Sequence, residues 1–74
     1  MNATKSTTEQ VNAYLTAVRA IAETIREVGE TNEGTLYAGC MGIMSLGTFQ
    51  SIIRRLQGAG LIEVTPGHMV RWVG

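Results

Sequence analysis

The sequence has no aspartate, and only one cysteine, one histidine and one proline among its 74 residues. Each shortage closes off a class of chemistry. A lone Cys40 can form neither an intramolecular disulfide nor a CxxC motif, and with one histidine a Cys/His zinc site would need two chains. A free thiol suits a reducing interior, so the cytoplasm is the expected location. His68 has no aspartate to orient it as a general base. Six Lys+Arg balance six glutamates for a net charge of zero, which argues against a polybasic or acidic tail. No apolar run approaches the roughly 20 residues of a membrane span. The polar start, Met1 to Thr8, carries no apolar signal-peptide segment. No Gly-Lys-Ser/Thr follows Gly34, Gly39 or Gly42 to make a P-loop, and Glu63 stands where a dinucleotide fingerprint begun at Gly58 needs its last glycine. No acid, base and pocket assemble, so neither an enzyme nor a cofactor or metal site is expected.

What remains is enough for one small fold. The chain is 45% apolar and 16% charged, which supports a single core at this length and little beyond it. Residues 1–5 read as a disordered lead-in and 6–74 as one domain. Ser6-Thr7-Thr8-Glu9 has the form of a capping box. After it Val11, Tyr14, Leu15, Val18, Ile21, Ala22, Ile25 and Val28 recur at threes and fours, which predicts a helix over about 7–28 closed by Gly29. Arg26 and Glu30 are spaced to pair on its outer face. Glu30 to Gly34 reads as a polar connector, and a short helix is expected over about 35–41 with Leu36, Tyr37 and Cys40 inward.

Ser45 is the natural N-cap of a third helix over about 46–57, in which Phe49, Ile52, Ile53 and Leu56 follow the i, i+3, i+4, i+7 pattern. The period then changes. Leu61 to Val64 and Met69 to Val73 are short β-branched or aromatic runs flanking Thr65-Pro66-Gly67-His68. Pro followed by Gly at the central positions predicts a type II turn, and so a two-stranded hairpin over about 61–73. Met41, Met44, Met69 and Trp72 are expected to fill gaps and cover the core. The fold class is α+β, mainly α.

Helix, short helix, turn, helix and hairpin, with Phe49 to Glu63 running from a helix into a Gly-Leu-Ile strand start, resembles the winged-helix variant of the helix-turn-helix domain. The resemblance covers roughly residues 9–73. It implies that helix 3 lies in the DNA major groove, that helix 2 positions it, and that the hairpin wing touches the backbone or minor groove. With the apolar positions inward, helix 3 exposes Gly47, Thr48, Gln50, Ser51, Arg54 and Arg55. These are short polar groups for base edges and arginines for phosphate or guanine. Wing contact would rest on Arg71 and His68.

Residues 1–33 set Lys5, Arg19 and Arg26 against Glu9, Glu23, Glu27, Glu30 and Glu33, an excess of two negative charges. Residues 34–74 set Arg54, Arg55 and Arg71 against Glu63, an excess of two positive charges. The DNA-facing half is basic but weakly so, and two copies would be needed for about six phosphate contacts and a log–log salt slope near −5. The expected protein is a winged-helix DNA-binding regulator acting as a homodimer through helix 1, whose apolar stripe is broader than one seam requires. The competing reading is a winged-helix module that binds another protein or itself, favoured by the zero net charge and a wing turn without Lys or Arg.

Overall fold

The computed structural model describes residues 3–74, with side chains from Glu9 onward. Helix α1 runs from Ala3 to Val28, so it begins upstream of the expected boundary. Met1 and Asn2 lie outside the described residues, but residues 3–5, expected as lead-in, belong to the helix. Ser6 is therefore inside α1 and is not its cap. No Gly or Pro interrupts Ala3 to Ser6, so nothing local stops the helix from extending backwards. At its other end Gly29 takes φ +82°, and its N–H donates to the Ile25 carbonyl at 2.7 Å, closing the helix as expected.

The segment expected as a polar connector is a strand. Strand β1 (Glu30–Asn32) pairs antiparallel with a strand from the far end of the chain, with Thr31 opposite Val70. Helix α2 (Glu33–Ala38) follows at once, capped by Asn32, whose Oδ1 accepts from the N–H groups of Gly34 at 2.8 Å and Thr35 at 3.3 Å. It starts and ends earlier than the expected 35–41, and leaves Cys40 in the turn beyond it. Glu30 has left the helix, so Arg26 pairs with Glu23 at 3.7 Å instead of the expected Glu30.

Helix α3 (Leu46–Gly58) forms as the sequence predicts, with Ser45 as its N-cap: the Ser45 Oγ accepts from the Thr48 N–H at 3.2 Å. Strands β2 (Ile62–Val64) and β3 (Met69–Trp72) form the hairpin, and the sheet order β1-β3-β2 makes it three-stranded, with β3 central. The α+β, mainly helical architecture is thus as expected, but the hairpin has a third partner.

The core is Ile21 and Ile25 of α1, Leu36 of α2, Phe49, Ile52, Ile53 and Leu56 of α3, Ile62 of β2 and Val70 of β3, with no polar residue among the buried side chains described. The Tyr37 and Phe49 rings meet at 5.1 Å in a tilted arrangement. Trp72, Met44, Tyr14 and Val18 pack against this core half-buried. Met41, expected as a gap-filler, is 63% exposed, because α2 ends before it and the turn carries it outward.

The hairpin tip also differs from expectation. The His68 N–H donates to the Thr65 carbonyl at 2.9 Å, and the Thr65 N–H donates to the Met69 carbonyl at 2.9 Å. The positive φ, +63°, belongs to His68, while Gly67 has none. This excludes type II and fits a type I turn followed by one left-handed residue. The preference of Pro-Gly for type II is overridden by the pairing of β3 on both sides. A histidine in that region costs about 1 kcal/mol relative to glycine. His68→Gly is therefore expected to raise stability by about 0.5–1 kcal/mol, read as a higher urea midpoint at unchanged slope. A lower midpoint would show that the tip conformation is wrongly assigned.

Candidate nucleic-acid interface

The four buried residues of α3 fix which side of the helix faces out. Gly47, Gln50, Ser51, Arg54 and Arg55 are exposed, and Thr48 is half-buried at the edge. Thr48 has a structural task, since its hydroxyl accepts from Ser45 Oγ at 3.1 Å while its N–H completes the cap. Gly47 is different. A Cβ there would meet only Ser45 Oγ at 3.9 Å, and its φ is not positive, so the fold does not require a glycine at this position.

The three arginines of the basic half end in three environments. Arg71 donates to Glu63 Oε1 at 2.6 Å across the β2–β3 pair, so its charge is locally neutralised. The Arg55 guanidinium sits over the Tyr14 ring of α1 at 5.9 Å, near the outer limit of a cation–π contact. That contact steers Arg55 toward α1 without neutralising it. Arg54 has no salt-bridge partner among the described residues.

Gln50 and Arg54 line an open groove of about 410 Å³ together with Ile53 and Gln57 of α3, Val64 of β2 and Glu33 of α2. The groove thus runs between the exposed side of α3 and the hairpin. Gln57 and Glu33 are the additions to the site. Gln57 was legible, since it lies three residues after Arg54 and seven after Gln50 on one helical flank. Glu33 was not, because its position follows from β1 and the Asn32 cap. Its carboxylate opposes the binding of an anion in this groove. His68 is exposed at the hairpin tip, and its carbonyl accepts from the Glu33 N–H at 2.8 Å, so α2 and the tip are tied together. The structure therefore brings Gln50 and Arg54 into one groove. It engages Arg71 with Glu63 and gives Thr48 to the cap.

A second surface is apolar. Ala17, Ala20, Ile21 and Thr24 of α1 face Leu36, Gly39, Cys40, Ile43 and Met44 across a groove of about 170 Å³. Beside it Ile43 is 81% exposed, and Met41 and Leu46 are exposed as well. The Thr24 hydroxyl is spent on the Ala20 carbonyl at 2.9 Å.

Among the described residues no three His, Cys, Asp or Glu side chains gather to hold a metal ion, and no helix is long and apolar enough to cross a membrane. The described residues form an α+β fold with three helices and a three-stranded antiparallel sheet. Comparison with protein-family models, with characterised proteins and with solved structures finds no match.

Proposed function

We propose that the chain is a winged-helix DNA-binding protein of the cytoplasm, acting as a homodimer in transcriptional control, without enzymatic activity. Helix α3 enters the major groove, and Arg54 reaches the phosphate backbone or guanine from its exposed side. The order of helix, short helix, turn, helix and hairpin supports the winged-helix assignment, with β1 added as a tie between α1 and the hairpin. The observation that carries the DNA reading is the exposed face of α3. Near its start it has Gly47, Gln50 and Ser51, of which Gly47 has no role in packing, and the unpaired Arg54 follows one turn on. Short polar groups near the N-terminus of a recognition helix reach base edges, and an unpaired arginine reaches phosphate or guanine. Arg71 contributes little to binding, since Glu63 competes for it.

Binding is tested by fluorescence anisotropy against a random duplex at about 50 mM salt, where a weak phosphate footprint is strongest. Gly47→Ala provides a control inside the same surface. It removes backbone entropy from the unfolded chain and is expected to stabilise α3 by about 0.5–1 kcal/mol. It also adds a methyl group where the helix approaches DNA, so affinity should fall several-fold in a more stable protein. Stability and affinity rising together would remove Gly47 from the interface.

A specific observation favours the competing protein-interaction reading, namely the exposed Met41, Ile43 and Leu46 around the α2–α3 turn. A folded protein with no DNA affinity at about 50 mM salt would decide for it.

A further inference from the structure

We propose that the groove between α3 and the hairpin binds a small zwitterion, a molecule carrying one ammonium, one carboxylate and an apolar side chain. Free α-amino acids and short peptides share that chemistry. This goes beyond the DNA-binding reading above, on which ligand and DNA would compete for Arg54. Its test needs no DNA, so the two can fail separately.

Glu33 and Arg54 line one groove of about 410 Å³ from different elements, α2 and α3. They do not neutralise each other, since the ion pairs among the described residues are Arg26 with Glu23 and Arg71 with Glu63. A simple anion drawn to Arg54 meets the Glu33 carboxylate, and a simple cation drawn to Glu33 meets the Arg54 guanidinium. A ligand bearing both charges answers both groups at once, with its carboxylate forked on Arg54 and its ammonium on Glu33.

The other lining residues suit the rest of such a molecule. Gln50 and Gln57 stand four residues before and three residues after Arg54, so the three are neighbours on one flank of α3. Each carboxamide has N–H donors for a carboxylate and an oxygen for an ammonium. Among the described residues none of these four polar side chains is spent on a hydrogen bond. Ile53, 4% exposed, and half-buried Val64 of β2 give the groove an apolar floor for the ligand's side chain.

Both charged residues are mounted on fixed backbone. The Glu33 N–H donates to the His68 carbonyl at 2.8 Å, and Asn32 caps the turn that Glu33 begins. Arg54 follows directly on the buried Ile52 and Ile53 of α3. Little backbone has to be ordered when the ligand arrives, which favours binding. The volume falls within the range of small-molecule sites, about 300–1,000 Å³.

L-leucine and leucyl-leucine are the probes, titrated into the wild-type protein and followed by proton–nitrogen NMR correlation spectra. Addition to about 20 mM should shift the Gln50 and Gln57 side-chain amides and the Val64 amide, with a Kd of about 1 mM for so small a ligand in an open groove. The tighter binder of the two names the source, amino acid or peptide. Isocaproate, which lacks the ammonium, and isoamylamine, which lacks the carboxylate, should each bind at least about threefold more weakly than leucine, as loss of an exposed ion pair implies. Glu33→Gln should abolish the preference for leucine over isocaproate, and Arg54→Ala the preference for leucine over isoamylamine. The comparison of ligands on the wild-type protein stands even if a variant folds poorly. Groove amides unmoved by either probe, isocaproate binding the wild type as tightly as leucine, or both preferences surviving in the folded variants would each overturn the proposal.

Discussion

Phe49→Ala is expected to remove about 3–5 kcal/mol of stability, the usual loss for truncating a fully buried phenylalanine. Phe49 is 1% exposed, stands in the first half of α3 and meets the Tyr37 ring, so its removal opens a void that α2 and α3 both line. The loss has two parts: the apolar area returned to water on unfolding is smaller, and the ring's neighbours cannot close the space. A chain of 74 residues has about 4–11 kcal/mol in total, so the variant keeps at most about 8 kcal/mol and at the low end of that range is unfolded at 25 °C. Calorimetry or thermal circular dichroism should show Tm falling by more than about 12 °C. Leu46→Ala is the matched control. It removes an apolar side chain three residues earlier on the same helix, but one that is about half exposed, and should change stability by less than about 1 kcal/mol. Equal losses from the two variants would mean that α3 is not anchored through the Phe49 side.

Local pattern accounts for what was readable. In α3 the positions of Phe49, Ile52, Ile53 and Leu56 leave one solution for which side is inward, and Ser45 marks the start without help from the rest of the chain. Gly29 marks the end of α1 in the same way. Apart from the earlier start of α1 and the early end of α2, the misses depend on residues distant in sequence. Glu30-Thr31-Asn32 has neither β-branched alternation nor burial on both faces, and it becomes a strand because β3, some forty residues later, offers it hydrogen bonds. Once it does, Asn32 is placed to cap α2, and the helix starts earlier than its apolar positions alone require. The turn at His68 likewise obeys the register of β3 and not the preference of Pro66-Gly67. The site follows the same rule. Exposure of Gln50 and Arg54 is a property of α3 alone and was legible. The engagement of Arg71 by Glu63 across a strand pair, and of Arg55 by Tyr14 on another helix, was not.

The first of those contacts changes the salt dependence expected of DNA binding. Three arginines per copy predicted a slope near −5 for a dimer, but Arg71 is already paired, so a dimer has about four phosphate contacts, from Arg54 and Arg55, and a slope of about −3.6. Affinity should then fall about 150-fold between about 50 and about 200 mM salt. The double variant Arg54→Ala with Arg55→Ala removes all four contacts, so its slope should be near zero and its residual binding almost independent of salt. Arg71→Ala should leave the slope close to that of the wild type, which distinguishes an arginine held by Glu63 from one that releases counterions. Arg55 also rests on Tyr14, so the double variant gives up a fraction of a kcal/mol to about 1 kcal/mol of stability. Binding must therefore be measured well below its Tm. A double variant that keeps the wild-type slope would place the phosphate contacts off α3 and end the recognition-helix reading. A slope lost on Arg71→Ala instead would mean that DNA draws Arg71 away from Glu63 and that the hairpin, more than α3, carries the backbone contacts.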